Sequence, residues 1–365
     1  MVNDKDDEDL ESSAAPLIEH LSELRNRLIR CAVAFTLAMI LCFAVASEIF
    51  NFLAAPIVKV LIENGHEVCL WCYLQEEADA IAKGDSLRLP DVEIPSTLTA
   101  TTSLQDALAT NPDYIVVALS SSHLAVLEGL VTDYNTEVPL IVLTKGFAQP
   151  DQPTLVSDEI NGILSPQHLI MLSGPNLAKE IALQKQSASV IAGKSPEILD
   201  AVKALISNDY LTIQTSEDLI GVQLGGVLKN VIAIAAGMVD GLGYGNNFKS
   251  ALVTLGLSEM IVIGERFGAR KETFYGLSGL GDLMTTCHSE LSRNWQFGNA
   301  LTSGKPVQEI VAQLSQVTEG IKTAAIVHDI QKKQSLNLPI MSMVYQVIYD
   351  SLPPKSAMER VMASQ

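Results

Sequence analysis

Residues 221–234 read Gly-Val-Gln-Leu-Gly-Gly-Val-Leu-Lys-Asn-Val-Ile-Ala-Ile, and the only charge among them is Lys229. A Lys-Asn pair usually belongs to a solvated surface. Here an apolar run surrounds the ammonium and two glycines precede it, and a desolvated amine is a candidate functional group. Asp282 stands in a glycine frame, Gly279-Leu-Gly-Asp282-Leu. It suits either a helix cap or a functional carboxylate, and the frame favours the second. Other reactive types carry less. Cys69-Leu-Trp-Cys72 has redox or half-zinc spacing, yet no second cysteine pair or nearby Cys/His cluster completes a metal site, and the segment reads as a buried strand. No metal is expected. His66 and His123 read as surface or strand-end residues. Gly241-Leu-Gly-Tyr-Gly245 follows a helical pattern, so it is not a dinucleotide loop.

The elements that must position these residues follow from periodicity. Short apolar runs at Glu67–Trp71, Tyr114–Leu119, Leu140–Leu143, Leu169–Leu172 and Ala188–Ala192 predict strands. Helical stretches near 104–109, 122–132, 153–163 and 196–206 lie between them. Such alternation predicts a parallel, doubly wound sheet. Beyond about Ser216 the pattern lengthens to helices near 217–240, 250–267, 319–333 and 339–350. The fold class is therefore α/β: a Rossmann-type parallel sheet over residues 57–214, then an all-helical domain over 215–365.

The first 56 residues differ in kind. Six of the first eleven are acidic and read as a solvated tail. Leu17, Leu21, Leu24 and Leu28 mark an amphipathic helix, and Cys31–Ser47 is a run of 17 uncharged residues, the lower limit for a membrane span. Arg25, Arg27 and Arg30 favour a cytoplasmic N-terminus. Neither Pro nor Gly interrupts Leu17–Ala55, so a helix over 28–50, with membrane insertion, is expected. A core helix or strand of a soluble protein is the competing reading. Ala44-Val45-Ala46 resembles a signal-peptidase site, but the long acidic region before it argues against cleavage. With 365 residues, 48% hydrophobic and 18% charged, the remainder can bury a large core. The net charge of −18 argues against a nucleic-acid partner and leaves any anionic substrate dependent on locally placed Lys and Arg.

Seven motifs come in order: Asn64-Gly-His-Glu-Val68, Leu143-Thr-Lys145-Gly146, Ser173-Gly174-Pro175, the Lys229 segment, Gly279-Leu-Gly-Asp282-Leu, Ser292-Arg293-Asn294 and Val317-Thr-Glu319-Gly320. Over about 57–350 the chain resembles the bacterial NAD(P)-dependent glycerol-3-phosphate dehydrogenases. That resemblance implies reduction of dihydroxyacetone phosphate for glycerophospholipid synthesis, with NAD or NADP as cofactor, a cytoplasmic location and a homodimer. Hydride reaching a ketone carbon builds charge on its oxygen, which needs a proton and a nearby cation. Lys229 matches the family's general acid/base, Lys145 a neighbour that keeps its pKa low, and Asp282 the group that orients Lys229. Arg293 and Asn294 suit the phosphate. Gly174, Asn176 and Ser292 complete the implied substrate set. Tyr73, Lys145, Ala178, Arg293, Val317 and Glu319 fall where the family meets its cofactor. Pro16–Leu28, with the apolar run behind it, is similar to the start of the TatC component of the twin-arginine translocase, over about residues 10–56.

Three departures qualify the resemblance. The family opens with a strand and Gly-x-Gly-x-x-Gly, whereas the first glycine here is Gly65, and Ile49, Asn51 and Ala54 occupy the three glycine places beside Glu48. Weakened dinucleotide binding is expected, together with exposed sheet edges where the first strand is missing. The segment Trp71-Cys-Tyr73-Leu74 does not separate NAD from NADP, and Asn176 replaces the family's Thr or Ser. Two alternatives stand beside the main reading: a catalytically inactive, membrane-anchored fusion protein, and another lysine-dependent dehydrogenase of the same superfamily.

Overall fold

The computed structural model describes residues 56–84, 97–314 and 318–363. The expectations for residues 28–50 and for the positions of Glu48, Ile49, Asn51 and Ala54 lie outside the described residues, as does Val317. The described chain opens with helix α1 (56–63), which packs Ile57, Val60 and Leu61 into a core shared with Ile141, Ile170 and Ile191.

Strands β1 (Cys69–Trp71) and β2 (Thr99–Thr101) pair in parallel as a two-stranded sheet; helices α2 (Gln75–Ala82) and α3 (Leu104–Leu108) flank them. A second sheet runs in the order β3 (Ile115–Val117), β4 (Leu140–Val142), β5 (Leu169–Ser173), β6 (Ser187–Ala192), β7 (Leu211–Ser216). Among the described residues, β1 is bonded only to β2, and β3 only to β4, so each presents one edge with no described neighbour. Strand β4 is Leu-Ile-Val, buried throughout, as a central parallel strand must be. The β3–β4, β4–β5 and β6–β7 pairs are parallel, while β5–β6 is antiparallel. The chain returns beside β5 through the short α5 (Ala178–Ala182), so the expected all-parallel order is broken at one pair.

Most sheet helices fall where the periodicity places them. Helix α4 spans Val156–Leu164, and α6 spans Pro196–Ile206, with Ser195 as its cap and Pro196 in its first turn. The stretch near 122–132 is a 3₁₀ helix, Ser121–Leu130. After β7 the strands end. Helix α7 (Leu219–Gly241) forms the axis of the second half, and α8 (Gly245–Arg266) follows. Gly243 and Gly245, both at positive φ, make the turn between these helices, so the glycine-rich stretch at 241–245 is a helix–helix connection.

Helices α9 (Asp282–His288), α10 (Arg293–Leu301), α12 (Glu319–Gln334) and α13 (Pro339–Tyr349) pack on α7, while α11 (Val307–Gln313) lies against α10 and α14 (Pro354–Ala363) against α13. Helix α7 is apolar on every face because it is enclosed on every face. It is long and apolar enough to cross a membrane, but 89% of its apolar window is buried within the protein, which marks it as a core helix. Its closest neighbour is α10. A Cβ on Gly298 would collide with the carbonyl oxygen of Ile234, so glycine is required for that approach. The same packing sets Asn294, at the start of α10, beside Asn230 of α7.

Candidate active site

The site forms where the carboxyl ends of β4 and β5 meet α7 and α9, the usual ligand side of such a sheet. Lys145 lies three residues beyond β4. Its Nζ donates to the Gly174 carbonyl at 3.3 Å and to Asp282 Oδ2 at 2.8 Å. Lys229, buried on α7, donates to Asp282 Oδ1 and, at 2.8 Å, to Thr286 Oγ1. One buried carboxylate thus holds two lysines from different halves of the chain. A π-helical turn, Leu277–Gly281, precedes Asp282, and its Gly281 N–H donates to the Gly276 carbonyl at 3.1 Å. Such turns recur at functional sites because they re-aim the next residue. Here that residue is Asp282.

The electrostatics follow from burial. Desolvation pulls the Lys229 ammonium down to about 8; Asp282 opposes the shift, and Lys145 reinforces it. Burial works against a charged Asp282, but Lys145 and Lys229 overcome it and hold the carboxyl below its ordinary value. The trio carries a net positive charge inside an acidic protein. It is a local cation site of the kind that an anionic substrate of this chain requires.

The remaining sequence candidates divide by location. Gly174 sits at φ +134°, and its carbonyl is the one Lys145 reaches. Asn176 Oδ1 accepts from Ser189 Oγ at 2.6 Å. Ser292 caps α10, accepting from the Trp295 N–H at 3.2 Å, and Arg293 is the first residue of that helix, half-buried. Asn294 is a bridge within the protein: its Nδ2 donates to Asn230 Oδ1 at 3.0 Å, and its Oδ1 accepts from the Gly320 N–H at 3.0 Å. One donor and one lone pair of that amide remain for a ligand.

On the cofactor side, Glu319 begins α12. Its carboxylate takes long bonds from Ser121 Oγ, at 3.4 and 3.5 Å, and burial raises its pKa. Gly146 lies against both residues at φ +130°; a Cβ there would stand 2.9 Å from Ser121 Oγ and 3.0 Å from Glu319 Oε2. Ala178 starts α5 and is buried, whereas Tyr73 follows β1 and is exposed. Tyr73 is therefore not in the lysine cluster.

Sequence reasoning missed Thr286 and the roles of Asn230 and Gln223. Thr286 is one helical turn after Asp282, and that i, i+4 spacing was the available signal. Gln223 Nε2 donates to Ser157 Oγ at 2.9 Å and its Oε1 accepts from the Ser157 N–H at 3.1 Å, tying α7 to α4. Cys72 is buried, and its thiol is pushed up to about 12 by desolvation and then by Glu77, the wrong direction for a reactive thiolate. His66 and His123 are exposed.

A dinucleotide-type sheet with Lys145 beyond the end of β4, joined to a helical domain that supplies the buried Lys229 and the Asp282 carboxylate, defines an oxidoreductase of the Rossmann dehydrogenase class. Residues 55–199 match the family described as NAD-dependent glycerol-3-phosphate dehydrogenase N-terminus, and residues 218–359 match its C-terminus. The glycerol-3-phosphate dehydrogenase [NAD(P)+] of Lysinibacillus sphaericus is 35% identical over 314 residues, covering 84% of this chain and 92% of the relative. That of Bacillus cytotoxicus is 37% identical over 309 residues, covering 83% of this chain and 90% of the relative. The crystal structure of glycerol-3-phosphate dehydrogenase from Coxiella burnetii superimposes with a TM-score of 0.79 at 30% identity, covering 85% of this chain and 96% of that one. The chain belongs to the NAD(P)-dependent glycerol-3-phosphate dehydrogenase family.

Replacing Asp282 with Asn should leave the buried Lys229 and the half-buried Lys145 ammonium groups facing a neutral amide. Breaking a buried ion pair from one side costs about 3–5 kcal/mol. The expected result is a clearly lower melting temperature at pH 7 together with strongly reduced turnover. A variant as stable and active as the wild type would show that the carboxylate does not organise the site.

Proposed function

We propose that this chain reduces dihydroxyacetone phosphate to sn-glycerol 3-phosphate with NADH or NADPH, residues 57–214 forming the cofactor domain and 215–365 the catalytic one. The observation that carries the reading is Lys229, a buried lysine with a pKa near 8 held by Asp282. The described residues on this side suit a dinucleotide: Gly146 leaves no side chain against Ser121 and Glu319, and β3, β4 and β5 end on the lysine side while β6 and β7 run the other way. When bound, the cofactor supplies the hydride.

The chain's own groups do the rest. Arg293, Asn294 and Ser292 hold the phosphate end, with Gly174 and Asn176 on the facing loop. Lys145 adds positive charge beside the ketone oxygen. Lys229 Nζ donates a proton to that oxygen as charge develops, and in the reverse reaction its neutral amine takes the hydroxyl proton. Asp282 keeps the amine aimed, and Thr286 accepts another of its protons. Glu319, Ala178, Tyr73 and Val317 are read as cofactor contacts, and the homodimer rests on the same family reading.

The pH dependence tests the acid–base assignment. Lys229 is protonated below about 8. Turnover in the reducing direction should therefore be high at neutral pH and fall as pH rises through about 8, while the oxidising direction rises over the same interval. Lys229→Met should lower turnover by about 10²–10⁴-fold and remove that inflection. An unchanged profile in the variant would move the acid–base role elsewhere.

A second expectation concerns affinity. Ile49, Asn51 and Ala54 stand at the family's three glycine places. Each charge-assisted hydrogen bond lost from a pyrophosphate loop costs about 1.5–3 kcal/mol. Titration with NADH and NADPH should give dissociation constants orders of magnitude weaker than those of the glycine-containing relatives. Micromolar binding with normal turnover would overturn this.

The translocase-like segment raises a question of place. Its run of 17 uncharged residues suits a span over 28–50, but with Arg25, Arg27 and Arg30 holding the N-terminus inside, a single span would carry the dehydrogenase half away from cytoplasmic NAD(P)H. We read the catalytic part as cytoplasmic. Its C-terminus should then resist protease added to intact spheroplasts, and digestion there would place it on the far side.

A further inference from the structure

The loop Gly174-Pro-Asn176 faces the lysine cluster, since the Gly174 carbonyl is bonded to Lys145 and Pro175 lies against Gly281. A buried serine lies behind this loop. Ser189, on β6, is 1% exposed, and its hydroxyl lies 2.6 Å from Asn176 Oδ1. The backbone is equally close there: a Cβ on Gly174 would stand 3.1 Å from the Cα of Ser189. The loop is therefore seated on β6 by both packing and a side-chain bond.

The bond fixes the direction of the Asn176 amide. Among the described residues, Oδ1 is the one acceptor given to the Ser189 hydroxyl, so turning the amide over would leave a buried O–H without an acceptor. Leaving a buried donor unpaired costs about 1–3 kcal/mol. With Oδ1 held from behind, the two N–H groups of Asn176 are left for the site. Among the described residues they have no acceptor of their own, although Asn176 is half-buried. A pair of donors beside two ammonium groups suits an oxygen-rich anion and rejects a donor.

We propose that Ser189 is a positioning residue of the substrate site: by holding Asn176 Oδ1 it turns the amide N–H groups toward an acceptor oxygen of the phosphorylated three-carbon substrate. The proposal rests on the function assigned above. A hydroxyl rotates freely to donate, whereas an amide must be oriented by a neighbour.

The test is a two-by-two set, Ser189→Ala and Asn176→Ser alone and together, assayed with dihydroxyacetone phosphate and titrated calorimetrically with sn-glycerol 3-phosphate. Ser189→Ala alone should raise KM and the product dissociation constant about tenfold, the equivalent of one hydrogen bond, with kcat within about twofold. In the Asn176→Ser background the same change should have no effect, because a hydroxyl needs no orienting partner. Ser189→Thr should restore the wild-type KM. Asn176→Asp keeps the bond to Ser189 but presents an acceptor, and should weaken the substrate by more than Ser189→Ala does. An unchanged KM in Ser189→Ala, or an equal rise in both backgrounds, overturns the proposal. A wild-type protein that neither turns over the ketone nor binds the product instead refutes the function on which it rests.

Discussion

The bond pair from Asp282 to Lys145 and Lys229 is the constraint that orders the rest. Two ammonium groups and one carboxylate cannot be withdrawn from water cheaply, and their attraction offsets the cost only if the geometry is rigid. Each partner is accordingly fixed by an element that cannot move alone. Lys145 follows β4, which is buried along its whole length. Lys229 lies in α7, enclosed by the helices of the second half. Asp282 begins α9 directly after a π-helical turn. The apolar surroundings of α7 do two things at once: they supply the core of the helical domain, and they desolvate Lys229 enough to bring its pKa within reach of neutral pH.

The local charge also reconciles an acidic protein with an anionic ligand. A net charge of −18 repels a phosphate at long range, and that repulsion is screened over about 10 Å at ordinary ionic strength. Inside the cleft the unscreened charges are those of the lysine pair and Asp282, with Arg293 half-buried at the start of α10. On the proposed function, binding of the phosphate depends on such locally placed groups, not on the field of the whole surface.

Much of this was legible in the sequence where one residue type met one clear period. Lys229 stood out because charge is rare in an apolar helical run, and β4 and β5 because buried parallel strands are continuous in hydrophobicity. Strand β2, Thr-Ala-Thr, has no apolar run to read. Strand β7 alternates, burying Leu211 and Ile213 and exposing Thr212 and Gln214, and two apolar residues are too few to separate it from a loop. The short helices α9, α10 and α11 give at most about two turns of pattern. Side-chain roles were harder still. Ser292 and Asn294 read in the sequence only as polar groups suited to a phosphate, and it takes the fold to show that one caps α10 and the other bridges Asn230 to Gly320.

The substrate half of the site is self-supporting. Lys145, Gly174, Asn176, Ser189, Lys229, Asp282 and Thr286 bond to one another, and every strand that carries them is laddered within β3–β7. No bond in that set involves a residue before Lys145. Among the described residues the lysine cluster is assembled from β4 onward, whereas the places that the resemblance assigns to the pyrophosphate glycines lie ahead of α1. On the proposed function, cofactor affinity and proton transfer then draw on different stretches of the chain, and a loss at the glycine places bears first on the dinucleotide.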